Sequence, residues 1–441
     1  MSNLALLGGE PVRTQPFPAY NTMGEEEVAA ATRVIRSGNL SQYLGAWHPD
    51  FFGGPEVTAF EAEWAAAHKA KHAVSVNSAT SGLYAAIGAA GVGPGDEVIV
   101  SPTTMMASAT APLIFNAVPV FADVDPITFC LSPESIAARV TPRTRAIVVV
   151  HIFGGPADMD PIMELARRHG LIVIEDCAQA PLGSYRGRPV GTLGHMGVFS
   201  LNYHKHIHTG EGGLVVTNDD ALAERLQLIR NHGEAVVRAK GVPDIKGIVG
   251  FNFRLGEIEA AIGRSQLIKA PALIERRRQN VAYLEKKLSG LPGLHLTATE
   301  QGTGHAYYVH PLIYDGTATG ISRALYVDAI KAELPPTILR EQHGPLIGGG
   351  YVRPIYLEPM YQRQIAYGDV QCPFKCPHYE GKADYSPGLC PNAEKGHFET
   401  IVTHEMMRPP MTETDLDAVA LAFHKVSENL PALRDHAKKD A

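Results

Sequence analysis

One lysine stands among three histidines in the stretch SLNYHKHIHTGEGG, residues 200–213. Burial or a neighbouring charge can lower the pKa of a lysine, and its amine then forms a Schiff base with a carbonyl. His204, His206 and His208 offer an alternative, because side chains at every second position of an extended strand share one side and could bind a metal. No H-x-x-x-H pair accompanies them, so the metal interpretation is weaker. A Schiff base at Lys205 requires a cofactor pocket elsewhere in the chain.

Two other stretches supply groups that such a pocket needs. The apolar run LIVI ends in Glu175 and Asp176, and the run AVSV leads into the small residues NSATSG at 77–82. A helix that opens with these small residues has free N–H groups that can hold a phosphate, although each motif alone also fits an ordinary helix cap. Together the lysine, the acid and the phosphate cradle are what pyridoxal phosphate requires. The acid keeps the ring nitrogen protonated, and the lysine holds the aldehyde as an imine.

The elements around these residues predict an α/β fold. Between about residues 73 and 230, apolar β-branched runs alternate with amphipathic stretches of helical period, which is typical of βαβ units. Runs such as AIVVV are apolar on both faces and predict a mostly parallel sheet covered by helices on both sides. Residues 256–290 predict two helices broken at Pro271, the second leading into another domain. We expect a large cofactor-binding domain, 1–285, and a small C-terminal domain, 286–441.

Composition excludes several classes of function. The 441 residues are 45% hydrophobic and carry a formal net charge of -7, without a Lys/Arg run, so we expect a globular protein that binds no nucleic acid. Neither a leader nor a stretch of about 20 apolar residues is evident, and we expect no membrane association. Five cysteines, an odd number, fit a reducing compartment and predict a cytoplasmic location. The absence of G-x-G-x-x-G after the first strand and of G-x-x-x-x-G-K-[ST] argues against dinucleotides and nucleoside triphosphates.

The motifs NSATSGL, GPGDEVIV, VIEDCAQA, SLNYHKHIHTGEGG and GFNFRLGE follow one another in this order. In them the chain resembles, over nearly its whole length, the DegT/StrS family of pyridoxal-phosphate sugar and cyclitol aminotransferases. The resemblance implies the aspartate aminotransferase-type fold (fold type I), in which a mostly parallel central sheet has helices on both faces and a smaller α+β domain follows. It also implies a homodimer with shared active sites.

The same resemblance implies roles for individual residues. Lys205 would form the Schiff base, since five residues separate it from Glu211 as in the family, and Asp176 would bind the ring nitrogen. No metal is implied. The remaining cofactor contacts that it implies are Gln179 on the side of the ring hydroxyl, Ala79, Thr80 and Ser200 at the phosphate, and Asn252 at the phosphate of the neighbouring subunit.

Two departures from the family pattern bear on the reaction. Met105, in PTTMM, stands where the family has an aromatic residue that stacks on the cofactor ring; its thioether can pack there instead. A subgroup of the family has histidine in place of the lysine and deoxygenates keto-sugars. His204 and His206 flank Lys205, but the count to Glu211 favours the lysine and therefore amino transfer.

We therefore expect an aminotransferase that moves an amino group from L-glutamate or L-glutamine to a keto-sugar nucleotide or keto-cyclitol by a ping-pong Schiff-base mechanism. Two alternatives are a keto-sugar dehydratase of the same family and a catalytically silent regulatory member. Some residues keep two interpretations. Tyr351, Arg353 and Tyr356 either line the acceptor site or pack a loop, and Tyr43 and Trp47 form either a mobile wall or an ordered surface loop.

The C-terminal cysteines raise a separate metal hypothesis. Cys372, Cys376 and Cys390 lie near His378 and His397 and could suggest zinc or an iron-sulfur centre. The spacing C-x3-C differs from the usual C-x2-C, so we interpret these residues as reduced loop cysteines.

Overall fold

The computed structural model describes residues 3–297, 302–337 and 345–439, and its core is a seven-stranded sheet in the order β1-β9-β8-β5-β4-β2-β3. Strand β9 is antiparallel to both of its neighbours, and the other pairs are parallel. The mostly parallel sheet is thus confirmed. The strands of the whole structure are β1 His72–Val76, β2 Glu97–Val100, β3 Val118–Phe121, β4 Thr144–Val150, β5 Ile172–Asp176, β6 Ser184–Tyr185, β7 Arg188–Pro189, β8 Met196–Ser200, β9 Gly213–Thr217, β10 Leu294–Leu296, β11 His310–Tyr314, β12 Ile347–Gly349 and β13 Ile401–His404.

Helices cover the large sheet and connect its strands. Apolar side chains at helical spacing give each long helix a buried face, as in α3, which packs on β8 and β9. The helices are α1 Glu25–Ser37, α2 Pro55–His68, α3 Ala79–Ala89, α4 Ala107–Ile114, α5 Pro133–Arg139, α6 Met159–His169, α7 Asp220–Arg230, α8 Val237–Lys240, α9 Glu257–Leu288, α10 Gly316–Thr319, α11 Arg323–Ala332, α12 Pro359–Gln362, α13 Pro391–Lys395, α14 Glu413–Glu428 and α15 Leu430–Ala437.

The predicted break at Pro271 is wrong, because α9 runs through this residue as one helix of 32 residues. Proline removes one helical hydrogen bond and costs about 3 kcal/mol in a helix interior. Buried side chains on both sides of it, such as Ala270 and Ile274, hold the helix against the rest of the protein. Since α9 contacts α1, α2 and α14, tertiary packing outweighs the local cost.

A second, antiparallel sheet in the order β10-β11-β13-β12 forms the base of the C-terminal region. Its apolar cluster joins side chains of α11 and α14 and also takes in Leu4 and Phe17 from the start of the chain. The division at residues 285 and 286 stays a prediction; this point lies within α9. In the described ranges no helix has the length and apolar character needed to cross a bilayer.

Candidate active site

The carboxyl ends of β5 and β8 place the predicted catalytic groups at one edge of the sheet. These strands are parallel neighbours, β5 ends at Asp176, and β8 ends at Ser200 and leads to Lys205. Ligands of parallel sheets bind at such edges. The amine of Lys205 and the carboxylate of Asp176 interact electrostatically, so the structure brings the lysine and the acid into one site.

The histidines around Lys205 do not form an extended strand, contrary to the geometry that a metal site would need. Residues 201–210 fold into turns, in which Lys205 N–H donates to the carbonyl of Asn202 at 2.9 Å. His204 is exposed, His206 is buried and His208 is partly buried, so the three side chains differ in environment. His206 Nε2 lies 2.9 Å from the carbonyl oxygen of Ala306 and therefore acts as a structural group.

The pKa of Lys205 lies well below its ordinary value. Burial disfavours the charged amine and lowers its pKa to about 8, although the carboxylates of Asp176 and Glu405 act in the opposite direction. Its Nζ lies 4.4 Å from the ring centroid of Tyr308. Desolvation outweighs the two carboxylates, and a useful fraction of the amine is neutral near pH 7.

The N-terminus of α3 forms the other side of this edge. Ser78 caps the helix by accepting the N–H of Ser81, whereas the N–H groups of Ala79 and Thr80 donate to no acceptor within the described residues. Gly213 pairs with Ser200 across β8 and β9, and a Cβ at Gly213 would lie 2.7 Å from the nitrogen of Ala79. The lack of a side chain at Gly213 thus lets β9 pass close to the start of α3, where the two N–H groups are free, an arrangement that fits a phosphate.

Gln179 is held by two hydrogen bonds to residues near the predicted catalytic groups. Its Oε1 accepts the N–H of Phe153 at 2.7 Å, and its Nε2 donates to the hydroxyl of Tyr351 at 2.8 Å. Burial raises the pKa of Tyr351, so its hydroxyl stays protonated. Tyr351 thus adjoins the site. Tyr356 packs in the core against Phe121, and Arg353 is exposed.

Met105 and Asn252 lie at the open margin of the site in a single chain. The side chain of Met105 is 60% exposed. Asn252 is exposed, its Oδ1 accepts from Arg254 at 2.7 Å, and its carbonyl lies 3.4 Å from Nδ2 of Asn77 near the start of α3. Their predicted roles as a ring-stacking residue and a phosphate ligand stay predictions.

Three residues at the site escaped the sequence analysis. Ser108 donates to Asp176, while Tyr308 and Glu405 surround the lysine amine from the C-terminal region. Ser108 lies in the first turn of α4, and no motif in the sequence marked it. Glu405 follows β13 in a segment without a recognisable motif, and only the folded chain brings it to Lys205.

The buried group of His151, Glu175 and Cys177 is a compact set of potential metal ligands among the described residues. Hydrogen bonds already occupy it. His151 Nδ1 accepts the N–H of Ala157, which leaves Nε2 to donate to Glu175 at 2.8 Å. The carboxylate of Glu175 also accepts three backbone N–H groups, so the group is a structural network rather than a metal site. Those three donors belong to Gly191, Leu193 and Gly194.

Cys372 and Cys376 lie within hydrogen-bonding distance of each other, whereas Cys390 contacts other groups. Cys376 Sγ accepts a long hydrogen bond from Asn116 Nδ2 at 4.0 Å, and Cys390 is fully buried with its N–H donating to the hydroxyl of Tyr356. Cys372 is partly buried. All five cysteines of the chain are free thiols. The interpretation as reduced loop cysteines stays a prediction.

The aromatic segment near the N-terminus is divided between core and surface. Tyr43 is buried with the guanidinium of Arg230 5.0 Å from its ring centroid, whereas Trp47 is 41% exposed and packs on Phe51 and Phe52. These contacts favour an ordered loop over a mobile wall.

A cavity of about 460 Å³ opens beyond the carboxyl ends of β3 and β4. Phe153, Asp158, Tyr185 and His305 are among the residues that line it. It contains neither Lys205 nor Asp176, so its size alone does not make it the catalytic site.

Comparison with known proteins agrees with this geometry. Residues 22–375 match the model of the DegT/DnrJ/EryC1/StrS aminotransferase family. The chain belongs to this family. It is 35% identical to the L-glutamine:2-deoxy-scyllo-inosose aminotransferase of Streptomyces fradiae, over 97% of this chain and 98% of that protein. It is 33% identical to the spore coat polysaccharide biosynthesis protein SpsC of Bacillus subtilis, over 81% of this chain and 88% of that protein.

Solved structures extend the comparison to the fold. The aminotransferase from Psychrobacter cryohalolentis superposes with a TM-score of 0.78 at 30% identity, covering 94% of this chain and 100% of that one. DesV from S. venezuelae, solved with a ketimine intermediate, gives a TM-score of 0.74 at 32% identity, covering 92% and 95%. The predicted fold type I, the aminotransferase activity and the use of pyridoxal phosphate are confirmed. The roles of the individual site residues stay predictions.

Proposed function

We propose that this aminotransferase moves an amino group from L-glutamine or L-glutamate to a ketone on a polyhydroxylated ring, with a keto-cyclitol as the first candidate acceptor and a keto-sugar nucleotide as the second. Full-length similarity to the L-glutamine:2-deoxy-scyllo-inosose aminotransferase supports the cyclitol. The keto-sugar nucleotide is supported by a shorter match. The GDP-perosamine synthase of Caulobacter vibrioides is 44% identical over 54% of this chain and 63% of that protein.

One observation carries the site assignment: the amine of Lys205 and the carboxylate of Asp176 share one edge of the sheet with the free N–H groups at the start of α3. Pyridoxal phosphate fits these residues, because they supply an amine for its aldehyde, an acid for its ring nitrogen and donors for its phosphate. When bound, it supplies a ring that withdraws electrons from the carbon bearing the amino group. Ala79, Thr80 and Ser200 would hold the phosphate, and Gln179 would lie on the side of the ring hydroxyl.

Lys205 would serve twice. With a pKa of about 8, about a tenth of the amine is neutral at pH 7, compared with about 0.03% at the ordinary value of 10.5. The neutral Nζ would be the nucleophile for the aldehyde carbon of the cofactor. Once an amino donor has taken its place, the same Nζ would accept the proton from the donor Cα and deliver it to the carbon that had carried the aldehyde. Asp176, opposite, would hold the ring nitrogen in its charged form.

The homodimer is part of the same proposal. Asn252 and Met105 are exposed in one chain, next to the N-terminus of α3 and to the catalytic edge. We infer that a second copy covers this margin and brings its own Asn252 to the phosphate. Light scattering during size-exclusion chromatography should give the mass of a dimer, and Asn252→Ala should weaken cofactor binding without changing this mass. The free cysteines support the expected cytoplasmic location, which fractionation of cells tests.

The test of the site uses the holoenzyme. Borohydride reduction followed by digestion and mass spectrometry should place the reduced cofactor on the peptide that contains Lys205. The Lys205→Ala variant should lose this label, whereas Lys286→Ala, at an exposed position of α9, should keep it. Label on a different lysine of the wild-type protein would refute the assignment.

The test of the substrates separates the two half-reactions. L-glutamine, L-glutamate and L-alanine are added singly to the holoenzyme, and loss of the visible absorbance of the bound cofactor identifies the donor. A keto-inositol and a nucleotide-linked keto-sugar are then each added to the aminated enzyme. We expect the keto-inositol to restore the absorbance and to leave as an amine. Recovery with the nucleotide sugar alone would contradict the cyclitol proposal and retain the aminotransferase.

A further inference from the structure

The carboxylate of Asp176 receives two hydrogen bonds from its own chain. Its Oδ1 accepts the N–H of Ala178 at 3.0 Å, and its Oδ2 accepts from the hydroxyl of Ser108 at 2.7 Å. Ser108 lies in α4 with no exposed surface, and Asp176 is 5% exposed. Both oxygens are therefore fixed from inside the protein.

A second hydroxyl lies behind the first. Thr104 Oγ1 is 3.2 Å from Ser108 Oγ, and Thr104 is buried. An ionised carboxylate can only accept, so the Ser108 proton must point to Asp176, and Thr104 must then donate to Ser108. The two hydroxyls thus form a directed chain that ends on the acid.

A serine inside a helix often bonds to its own backbone instead. Here the carbonyl of Met105 offers that alternative, at 3.4 Å from Ser108 Oγ. The contact with Asp176 is 0.7 Å shorter and has a charged acceptor, and such hydrogen bonds are the stronger ones. The hydroxyl of Ser108 therefore donates to the carboxylate of Asp176 and not to the carbonyl of Met105.

We propose that Ser108, supported by Thr104, is a positioning residue that fixes the orientation of the Asp176 carboxylate toward the ring nitrogen of pyridoxal phosphate. The inference rests on the proposed role of Asp176. A carboxylate held by Ala178 alone can turn about its Cβ–Cγ bond, and water cannot readily replace the missing donor in this buried position. When Ala178 and Ser108 both donate to Asp176, its carboxylate cannot turn. The remaining lone pairs of its oxygens then point in a fixed direction, toward the cofactor.

The experiment measures cofactor binding to the apoprotein rather than activity. Fluorescence titration with pyridoxal phosphate compares the wild-type protein with Ser108→Ala and Ser108→Thr. Loss of a charge-assisted hydrogen bond in a buried site should weaken binding by about tenfold to a hundredfold in Ser108→Ala. Ser108→Thr keeps the hydroxyl and should restore most of the affinity. Thr104→Val should act in the same direction with a smaller effect.

A ligand without the ring nitrogen separates positioning from general damage. The analogue of pyridoxal phosphate with CH in place of this nitrogen should bind the wild-type protein and Ser108→Ala equally, within about twofold. Thr110→Val is the matched control, because within the described part of the chain the hydroxyl of Thr110 bonds only to the carbonyl of Ala107 in the same helix, at 3.4 Å.

Each outcome has a distinct meaning. Unchanged affinity of Ser108→Ala for pyridoxal phosphate, or an equal loss for both ligands, would overturn the inference. An equal loss would show that the serine stabilises the fold rather than the acid. Failure of the wild-type protein to bind pyridoxal phosphate would instead overturn the proposed site as a whole.

Discussion

Replacing Lys205 by methionine should stabilise the apoprotein, because a buried amine with a lowered pKa costs folding free energy. In the unfolded chain the amine has its ordinary pKa of 10.5, and in the folded chain its pKa is about 8. The unfolded state therefore binds the proton more tightly, and the wild-type protein is less stable wherever this proton is bound in the unfolded state. The difference of 2.5 in pKa corresponds to at most about 3 kcal/mol below pH 8.

The pH dependence makes the test specific. The destabilisation caused by the buried amine is fully present below pH 8 and is lost as the pH rises through 10.5. The free energy of unfolding of Lys205→Met should therefore exceed that of the wild-type protein by about 3 kcal/mol at pH 7, about 2 kcal/mol at pH 9 and less than about 1 kcal/mol at pH 10. Better packing of methionine would add a gain that does not depend on pH. The free energy of unfolding by urea, measured on the cofactor-free proteins at these three values of pH, gives the comparison.

Lys286→Met serves as the control, since Lys286 is exposed on α9 and should show little change in stability at any of these pH values. If Lys205→Met were no more stable than the wild-type protein at pH 7, or if its gain stayed constant up to pH 10, burial would not lower the pKa of this lysine. The explanation for its neutral amine would then fail.

Substitutions of Asp176, Gly213 and Glu175 test other contacts at this edge of the sheet. Asp176→Asn removes a charge that raises the pKa of Lys205. The pH midpoint for chemical acetylation of Lys205 in the apoprotein should therefore fall below 8. An unchanged midpoint would show that the two groups do not interact. Gly213→Ala would put a Cβ 2.7 Å from the nitrogen of Ala79. The affinity for pyridoxal phosphate should therefore drop by about tenfold or more. The affinity for pyridoxal, which lacks the phosphate, should drop less. Glu175→Gln turns amide hydrogens toward backbone donors and should lower the free energy of unfolding by urea by about 2–4 kcal/mol. The exposed Glu164→Gln is the control and should lower it by less than about 1 kcal/mol. A chelator should change the stability of neither variant.

Local patterns predicted most of the large sheet. Runs such as AIVVV and LIVI became β4 and β5, because a strand buried on both faces needs apolar side chains at every position. Two local rules failed. Proline at 271 did not end α9, since contacts along the whole helix outweigh one lost hydrogen bond, and alternating histidines did not extend, since the chain around Lys205 closes into turns.

Local patterns likewise predicted only some of the residues at the candidate site. Asp176, Ser200 and the start of α3 were predictable because each lies at the end of a strand, and parallel strands bring their ends together. The groups that face Lys205 from the other side were not. Tyr308 and Glu405 follow the lysine by 103 and 200 positions in the chain, and no short motif marks either of them.

The lysine pKa therefore depends on contacts between the two regions of the chain. Segment 306–308 is tied to the end of β4 by N–H groups of Ala306 and Tyr308, which donate to Gly154 and Phe153 at 2.8 Å. Gly154 has a φ of +93°, and a Cβ there would lie 2.8 Å from the nitrogen of Tyr307. A residue with a side chain at this position would push the segment away and admit water to the amine. Since desolvation is the largest influence on Lys205, the pKa would then rise toward 10.5 and the neutral fraction near pH 7 would fall. We therefore expect Gly154, which is remote in sequence from the lysine, to favour the neutral amine.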